Sequence, residues 1–372
     1  MQNDHLFLKK TFKLAAKGSG LTSPNPMVGA VIVRKGRVLS SGFHRKAGSV
    51  HAEIDALNKI KGNVRGATLY VNLEPCCIWG RTPPCVDRII SSGIKKVVIS
   101  TLDPNPAVRG RSVKKMRSAG ISVETGILAE EGRRLNEVFF KNMEKKLPFV
   151  AVKSAFSLDG KTVTAGGQSQ WITGESARGL GRTLRDKYDA VCVGICTVLK
   201  DDPGLEASLG GKAKIIIDPH LKIPLKSRLL KNSENRVFIL TSAASRAKKN
   251  KLACLEKQAK IVVVPYGRSG FSPETVLKRL YKLGICSIYL EGGAYTSGAF
   301  FDACCVDKIY FFIAPLILGG TRALPVLGGK GVKQMKDAVE VADLKVKKVG
   351  PDLLIEGYPR YKAPAAQKVD SL

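Results

Sequence analysis

Ala67-Thr68-Leu69-Tyr70-Val71-Asn72-Leu73-Glu74-Pro75-Cys76 is an apolar run of strand length that stops at a proline followed by a cysteine. A run this short, rich in β-branched and aromatic residues, predicts a buried strand with a loop opening at Pro75. Upstream, Ala52 to Ile60 has helical spacing and follows a Gly-Ser loop, which sets His51 and Glu53 at the helix start. Downstream, Pro84 to Ser92 predicts a helix begun by proline, with Cys85 in its first turn, where the helix dipole favours thiolate.

The same alternation extends on both sides. Met1 to Lys17 predicts a short amphipathic helix, and Val28 to Val33 and Arg37 to Gly42 predict strands around a Lys35-Gly36 turn. Lys95 to Ser100 and Ile121 to Glu124 predict further strands, and Arg111 to Ala119 and Leu128 to Lys145 further helices. Strands and helices in alternation imply an α/β fold, with helices on both faces of a sheet.

The Lys-rich stretch Asn142 to Pro148 closes this domain, assigned to residues 1–146. A second α/β domain, 147–362, has predicted strands at Phe149 to Ser154, Ala190 to Gly194, Lys214 to Asp218 and Val237 to Thr241. Others follow at Lys260 to Pro265, Ser287 to Glu291 and Lys308 to Ile313. The chain after about Tyr358 reads as frayed, and 363–372 as a flexible tail.

A length of 372 residues suits two domains, and 44% hydrophobic with 25% charged residues suits ordinary globular ones. No apolar run approaches the ~18 residues of a membrane helix, and the N-terminus lacks a secretory apolar core, so the expected location is the cytoplasm. Nine cysteines at irregular spacing form no disulfide framework. Cys192, Cys196, Cys254 and Cys286 read as small buried hydrophobes.

The net charge of +30 raises the question of nucleic acid. It is spread evenly: residues 1–146 carry 26 Lys plus Arg against 11 Asp plus Glu, leaving 35 against 20 for the rest. A surface of this kind also steers small phosphorylated substrates inward.

A His-x-Glu at 51–53 followed by Pro75-Cys76 and a further cysteine is the signature of a zinc deaminase. Two thiolates and one imidazole hold Zn²⁺ and leave a fourth position for water. His51, Cys76 and Cys85 are the predicted ligands. Cys77 adjoins Cys76 and would have to turn back on itself to reach the same ion. Glu53 is not a ligand; its role is to take a proton from water and return it to the departing amine. Eight residues separate Cys76 from Cys85, where nucleoside and tRNA deaminases have two.

Pro24-Asn25-Pro26 with Val28-Gly29, Gly42-Phe43-His44, Leu73-Glu74-Pro75-Cys76, Gly80-Arg81-Thr82-Pro83-Pro84-Cys85 and Asp103-Pro104-Asn105-Pro106 complete the pattern. With these phrases the chain resembles the bifunctional riboflavin-biosynthesis deaminase-reductases over nearly its whole length. The second half adds Ser157-Leu158-Asp159-Gly160, Ser169-Gln170-Trp171, Thr197-Val198-Leu199 with Asp201-Asp202-Pro203, and Glu291-Gly292-Gly293.

The resemblance implies a three-layer cytidine-deaminase-like domain followed by a dihydrofolate-reductase-like domain using NADPH. It implies deamination of 2,5-diamino-6-ribosylamino-4(3H)-pyrimidinone 5′-phosphate, then reduction of the ribosyl group to ribityl, in a homo-oligomer. By the same resemblance Asn25, His44 and Arg81 contact substrate in the first half, and Ser169, Arg185, Leu205 and Glu291 in the second. Ala155, Trp171, Thr197, Asp201 and Gly293 lie on the cofactor. No Gly-x-Gly-x-x-Gly is present, which argues against a Rossmann domain.

Two departures stand out. Cys77-Ile78-Trp79 replaces a loop that in the family carries an imidazole. Ser208, in Leu205-Glu206-Ala207-Ser208, stands where the family has a phosphate-binding arginine. Losing a charge-assisted bond of about 1.5–3 kcal/mol leaves open a reductase half that is altered or inactive. A nucleic-acid deaminase and a non-catalytic zinc scaffold are the remoter readings.

Overall fold

A computed structural model describes residues 2–80, 83–231, 236–268 and 270–362. The chain divides into two compact units, Met1–Leu147 and Pro148–Leu372. No described helix is long and apolar enough to cross a membrane.

The first unit contains α1 (Gln2–Ala15), β1 (Gly29–Arg34), β2 (Arg37–Phe43), α2 (Ala52–Asn58), β3 (Thr68–Leu73), α3 (Cys85–Ser92) and β4 (Lys96–Thr101). α4 (Arg111–Ser118), β5 (Ser122–Thr125), α5 (Ala129–Leu135) and α6 (Glu137–Lys145) complete it. The strands form one mixed sheet in the order β2-β1-β3-β4-β5. β1 is antiparallel to β2 and β3, whereas β3, β4 and β5 run parallel.

Alternate side chains of β1 and β3 serve two cores. Ile32, Leu69 and Val71 pack with Ala52, Ala56, Val86 and Ile89 of α2 and α3, and Val31 and Tyr70 pack with Phe7 and Leu8 of α1. Burial on both faces explains why β3 reads as a continuous apolar run.

Gly42 fixes how closely α2 approaches this sheet. A Cβ there would overlap the Ala52 carbonyl oxygen and lie 2.5 Å from the Ala56 nitrogen. Gly42→Ala is therefore expected to push α2 outward and cost about 1–3 kcal/mol, read as a lower denaturant midpoint.

The predicted single helix from Leu128 to Lys145 is two helices, α5 and α6, parted at Asn136. Helix periodicity persists across the break, but the Asn136 side chain is recruited elsewhere: it accepts from Met27 N at 2.8 Å and donates to Met27 O at 3.0 Å. This tertiary bond competes with a continuous helix.

The second unit begins with β6 (Phe149–Ser157), β7 (Lys161–Val163), α7 (Glu175–Arg185), β8 (Ala190–Gly194), α8 (Ile195–Asp201), β9 (Ala213–Ile217), β10 (Val237–Thr241), α9 (Lys249–Glu256) and β11 (Lys260–Val263). It continues through β12 (Tyr266–Gly267), β13 (Gly270–Phe271), α10 (Pro273–Lys282), β14 (Ser287–Leu290) and α11 (Ala294–Asp302). β15 (Lys308–Ala314), β16 (Leu324–Pro325), β17 (Glu340–Val349) and β18 (Asp352–Arg360) end it.

Nine strands form one sheet in the order β11-β10-β9-β8-β14-β6-β15-β18-β17. The first seven in that order run parallel, and β18 and β17 add an antiparallel hairpin. From β8 the chain moves outward to β9, and from β14 it crosses β6 to β15. The strand order thus reverses direction between β8 and β14, and the crevice beyond their carboxyl ends is where open α/β sheets bind ligands.

Three expectations need correction. The chain is not frayed after Tyr358: β18 runs to Arg360, and Tyr361 donates its hydroxyl to Val306 O at 3.1 Å. Cys196 and Cys254 are exposed, because the outward positions of α8 and α9 carry them, whereas Cys192 in β8 and Cys286 just before β14 are buried. The β17–β18 hairpin escaped the sequence reading because Lys345, Lys347 and Lys348 interrupt its apolar pattern. The proposed tail 363–372 lies outside the described residues.

Candidate functional site

β3, α2 and α3 bring three donors together. His51 precedes α2, Cys76 sits in the loop after β3, and Cys85 opens α3 behind Pro84. His51 Nδ1 lies 3.1 Å from Cys85 Sγ and 3.6 Å from Cys76 Sγ, and all three ligand atoms lie within 4.8 Å of one another.

A tetrahedral zinc with bonds of about 2.0–2.3 Å spaces its donors by roughly 3.5–3.8 Å, so the donor set and its spacing fit that ion. The Cys85 N–H points at Cys76 Sγ at 3.3 Å. Hydrogen bonds from Cys85 and His51 hold the Cys76 thiol well below its usual range, which favours its thiolate. Cys77 Sγ instead faces Ala107 O at 3.9 Å. Cys85→Ala is accordingly expected to strip zinc from the purified protein, and Cys77→Ala to leave metal content at the wild-type level.

Glu53 lies on the first turn of α2 and is 3% exposed. Burial pushes its carboxyl up to about 7, and the charge on Cys76 adds to the effect. A carboxyl poised near neutrality can both accept and return a proton.

Asn25 and His44 adjoin the donors. Asn25 Nδ2 contacts His44 Nε2 at 3.2 Å, and the two imidazoles of His44 and His51 meet edge to face at 5.5 Å. Burial holds His44 below its usual pKa, hence neutral. The amide donates to Nε2, so Nδ1 carries the proton, which it gives to Val50 O at 3.2 Å. Arg81 lies outside the described residues.

Four supporting residues escaped the sequence reading. Asn72 accepts from Gly29 N at 2.7 Å and donates to Met27 O at 2.9 Å, and with Asn136 it pins the segment that carries Asn25. Buried Glu74 accepts from the backbone N–H groups of Asp103 and Gly110 at 3.2 and 3.0 Å, and Ser112 donates to Pro75 O at 2.6 Å. Together they fix the loop that presents Cys76. For Asn72 and Glu74 the signal in the sequence is a polar or charged residue in an otherwise apolar run, which the strand pattern alone treats as an exception; Ser112 and Asn136 lie in charged helical stretches and carry no such signal.

In the second unit three pairs of the predicted residues meet: Arg185 with Glu291, Ser169 with Asp201, and Thr197 with Gly293. Arg185, the last residue of α7, donates from Nε and Nη2 to both oxygens of Glu291 at 2.5 and 3.1 Å, and from Nη1 to Glu206 O at 2.7 Å. Lys153 Nζ stands 3.9 Å from Glu291. These cations keep Glu291 ionised although burial opposes it.

Gly293 caps α11 and leaves its backbone open: a Cβ there would meet only Thr197 Oγ1, at 3.8 Å. The exposed backbone at this helix start suits a pyrophosphate, so the cradle fits a dinucleotide. Ser169 Oγ bonds Asp201 at 3.4 Å, and Ala155 is half-buried on β6 opposite Phe312. Trp171 is 68% exposed, with the Arg178 guanidinium 4.5 Å over its ring. Leu205 is buried in the left-handed region at φ 54°, and Glu206 and Ser208 are exposed.

Known proteins share both halves of this arrangement. Residues 1–101 match the cytidine and deoxycytidylate deaminase zinc-binding region, and residues 148–355 match the RibD C-terminal domain. The riboflavin biosynthesis protein RibD of Aquifex aeolicus is 41% identical over 95% of this chain and 97% of its own. The chain belongs to the RibD family.

RibD of Escherichia coli is 34% identical over 95% of this chain and 98% of its own. Two solved structures agree over 96% of this chain and 99% of theirs. Acinetobacter baumannii RibD has a TM-score of 0.86 at 33% identity. The Thermotoga maritima diaminohydroxyphosphoribosylaminopyrimidine deaminase/5-amino-6-(5-phosphoribosylamino)uracil reductase has 0.84 at 35%. The fold is thus the RibD pair of a cytidine-deaminase-like and a reductase domain.

Proposed function

We propose that the chain carries out two consecutive steps of riboflavin biosynthesis, as a RibD protein does: deamination of 2,5-diamino-6-ribosylamino-4(3H)-pyrimidinone 5′-phosphate, then NADPH-dependent reduction of the ribosyl group to ribityl. The observation that carries this reading is the convergence of His51, Cys76, Cys85 and buried Glu53 in one unit, joined in the same chain to the Arg185–Glu291 crevice of the other.

In the first unit His51, Cys76 and Cys85 would hold zinc, which supplies the Lewis acidity that lowers the pKa of a water from about 15.7 towards ~7. Glu53 takes a proton at its carboxylate and hands it to the leaving amine as ammonia departs. Asn25 offers its amide to the edge of the pyrimidine, and neutral His44 fixes that amide. Arg81 supplies a guanidinium for the phosphate.

In the second unit Ala155, Trp171, Thr197, Asp201 and Gly293 would hold NADPH, which supplies hydride. Ser169, Arg185, Leu205 and Glu291 position the sugar phosphate. Arg185 donates to the Glu206 carbonyl oxygen at 2.7 Å, which sets a fixed cation beside the stretch in which Ser208 replaces arginine and supports a working reductase over an altered one. The protein acts in the cytoplasm, as a homo-oligomer, on a small phosphorylated pyrimidine.

The test is one incubation of zinc-loaded protein with the diaminopyrimidine ribotide, following ammonia and NADPH together. Both signals are expected, with NADPH oxidation lagging behind ammonia. Ammonia with no NADPH oxidation, even when the deaminated intermediate is supplied, would remove the reductase assignment. Absence of ammonia would remove the deaminase assignment.

A further inference from the structure

β9 reads Ala213-Lys214-Ile215-Ile216-Ile217, and its charged residue is buried among the apolar ones. Lys214 is 2% exposed, and its Nζ has no hydrogen-bond partner among the described residues. Lysine is almost never enclosed in this way, because an ammonium taken out of water destabilises the fold unless an anion meets it.

The register locates the ammonium. Lys214 lies between Val191 of β8 and Val237 of β10, and residues two apart on a strand share a face. On that face Val191, Val193, Ile216 and Val237 form one core with Leu205, Leu229 and Leu230. Lys214 therefore rises beneath the segments that carry Leu205 and Leu229. Asp202 ties those segments together: its Oδ1 accepts from Ser227 Oγ at 2.7 Å and from Arg228 N at 3.0 Å.

The same face leads across β8 to Glu291. Val191 pairs with Tyr289, two residues before Glu291, so Lys214 and Glu291 project to one side of the sheet. Arg185 links that carboxylate to the covering segment, since it donates both to Glu291 and, at 2.7 Å, to Glu206 O.

Charge around Lys214 is unbalanced. Burial lowers its pKa; the Glu206 carboxylate opposes the shift, and Arg185 and Arg228 add to it. Glu206 is exposed and folded back over Gly204, where a Cβ would overlap both of its carboxylate oxygens. No hydrogen bond among the described residues holds that carboxylate. Positive charge is in excess: Lys214, Arg185 and Arg228 stand against Glu206 and against Glu291, which Arg185 already engages. Lys212 differs, because Asp186 and Asp189 oppose the effect of its burial.

A phosphate dianion suits this excess. It brings two charges and several acceptor oxygens, so it can take a bond from Lys214 while Arg185 keeps Glu291. A lysine is a point charge on a flexible stem and can reach an oxygen from beneath the covering segment.

We propose that Lys214 binds the 5′-phosphate of the reductase substrate, which displaces the Glu206 carboxylate, so that a lysine on β9 does in this chain what an arginine at 208 does in the family. The proposal rests on the reductase reading above and adds a residue to it. An ammonium without a partner destabilises the free protein and gains its anion only in the complex.

The test follows NADPH oxidation with the deaminated ribotide and with its 5′-dephosphorylated counterpart, with thermal melting of each variant alongside. Lys214→Met is expected to raise KM for the ribotide at least about tenfold and KM for the dephosphorylated substrate less than about twofold. Its melting temperature is expected to rise, because the unpaired charge is gone. Adding Ser208→Arg to Lys214→Met is expected to return KM for the ribotide to within about threefold of wild type. Glu206→Gln alone is expected to lower that KM, since no carboxylate then competes.

Equal increases on both substrates, or no rescue by Ser208→Arg, would make Lys214 a structural residue and overturn the assignment. A melting temperature that falls would show that the ammonium has a partner in the fold, with the same consequence. An unchanged KM for the ribotide in Lys214→Met overturns the assignment and leaves the reductase reading standing. A higher KM in Glu206→Gln overturns the displacement. A wild type that oxidises no NADPH with either substrate overturns both readings.

Discussion

Glu53→Gln is expected to slow ammonia release by about 10²- to 10⁴-fold while zinc content stays at the wild-type level. The carboxyl is buried beside the donors without being one of them, and burial sets it at about 7. Glutamine keeps the shape and the hydrogen-bonding capacity but cannot take up the proton. Metal analysis beside an ammonia assay separates the possibilities. Loss of zinc together with activity would mean that Glu53 holds the site's shape, and unaltered turnover would mean that another group carries the proton. NADPH oxidation supplied with the deaminated intermediate should be unchanged, since Glu53 belongs to the other unit.

Arg185→Leu is expected to destabilise the second unit by about 3–5 kcal/mol and to abolish NADPH oxidation, with ammonia release retained. The pair is well shielded, with side-chain exposures of 13% for Arg185 and 14% for Glu291. Removing the guanidinium leaves a buried carboxylate whose nearest other cation is Lys153, at 3.9 Å. Adding Glu291→Leu removes that orphan charge, so the double variant should recover much of the stability and none of the reduction. Thermal melting followed in both variants checks this. A double variant that regains reductase activity would show that the pair serves the fold alone.

Much of the site was legible because its chemistry is local. His51 and Glu53 are two residues apart on one helical turn, and Cys76 and Cys85 flank one loop, so residue type and order specify which atoms can converge. The choice of Cys85 over Cys77 followed from chain geometry, and the side-chain directions agree with it: Cys85 faces His51, and Cys77 faces Ala107 O. The crevice of the second unit was far less legible. Arg185 and Glu291 are 106 positions apart, and only the parallel sheet brings them together.

The sequence by itself determined the alternation of strands and helices in the first unit, the seven parallel strands of the second unit's large sheet, and the three donors that converge beside Glu53. Those depend on periodicity and on spacing over a few residues. Tertiary structure decided the rest. It split the helix at Asn136 because Met27, 109 positions away, offers that side chain better bonds than a solvated helix turn. It buried Glu74, whose charge marked it for the surface, because two backbone N–H groups receive it. It exposed Cys196 and Cys254, whose apolar character placed them inside, because helix rotation turns them outward. It also built β17 from a lysine-rich stretch, because pairing with β18 satisfies the backbone whatever the side chains are.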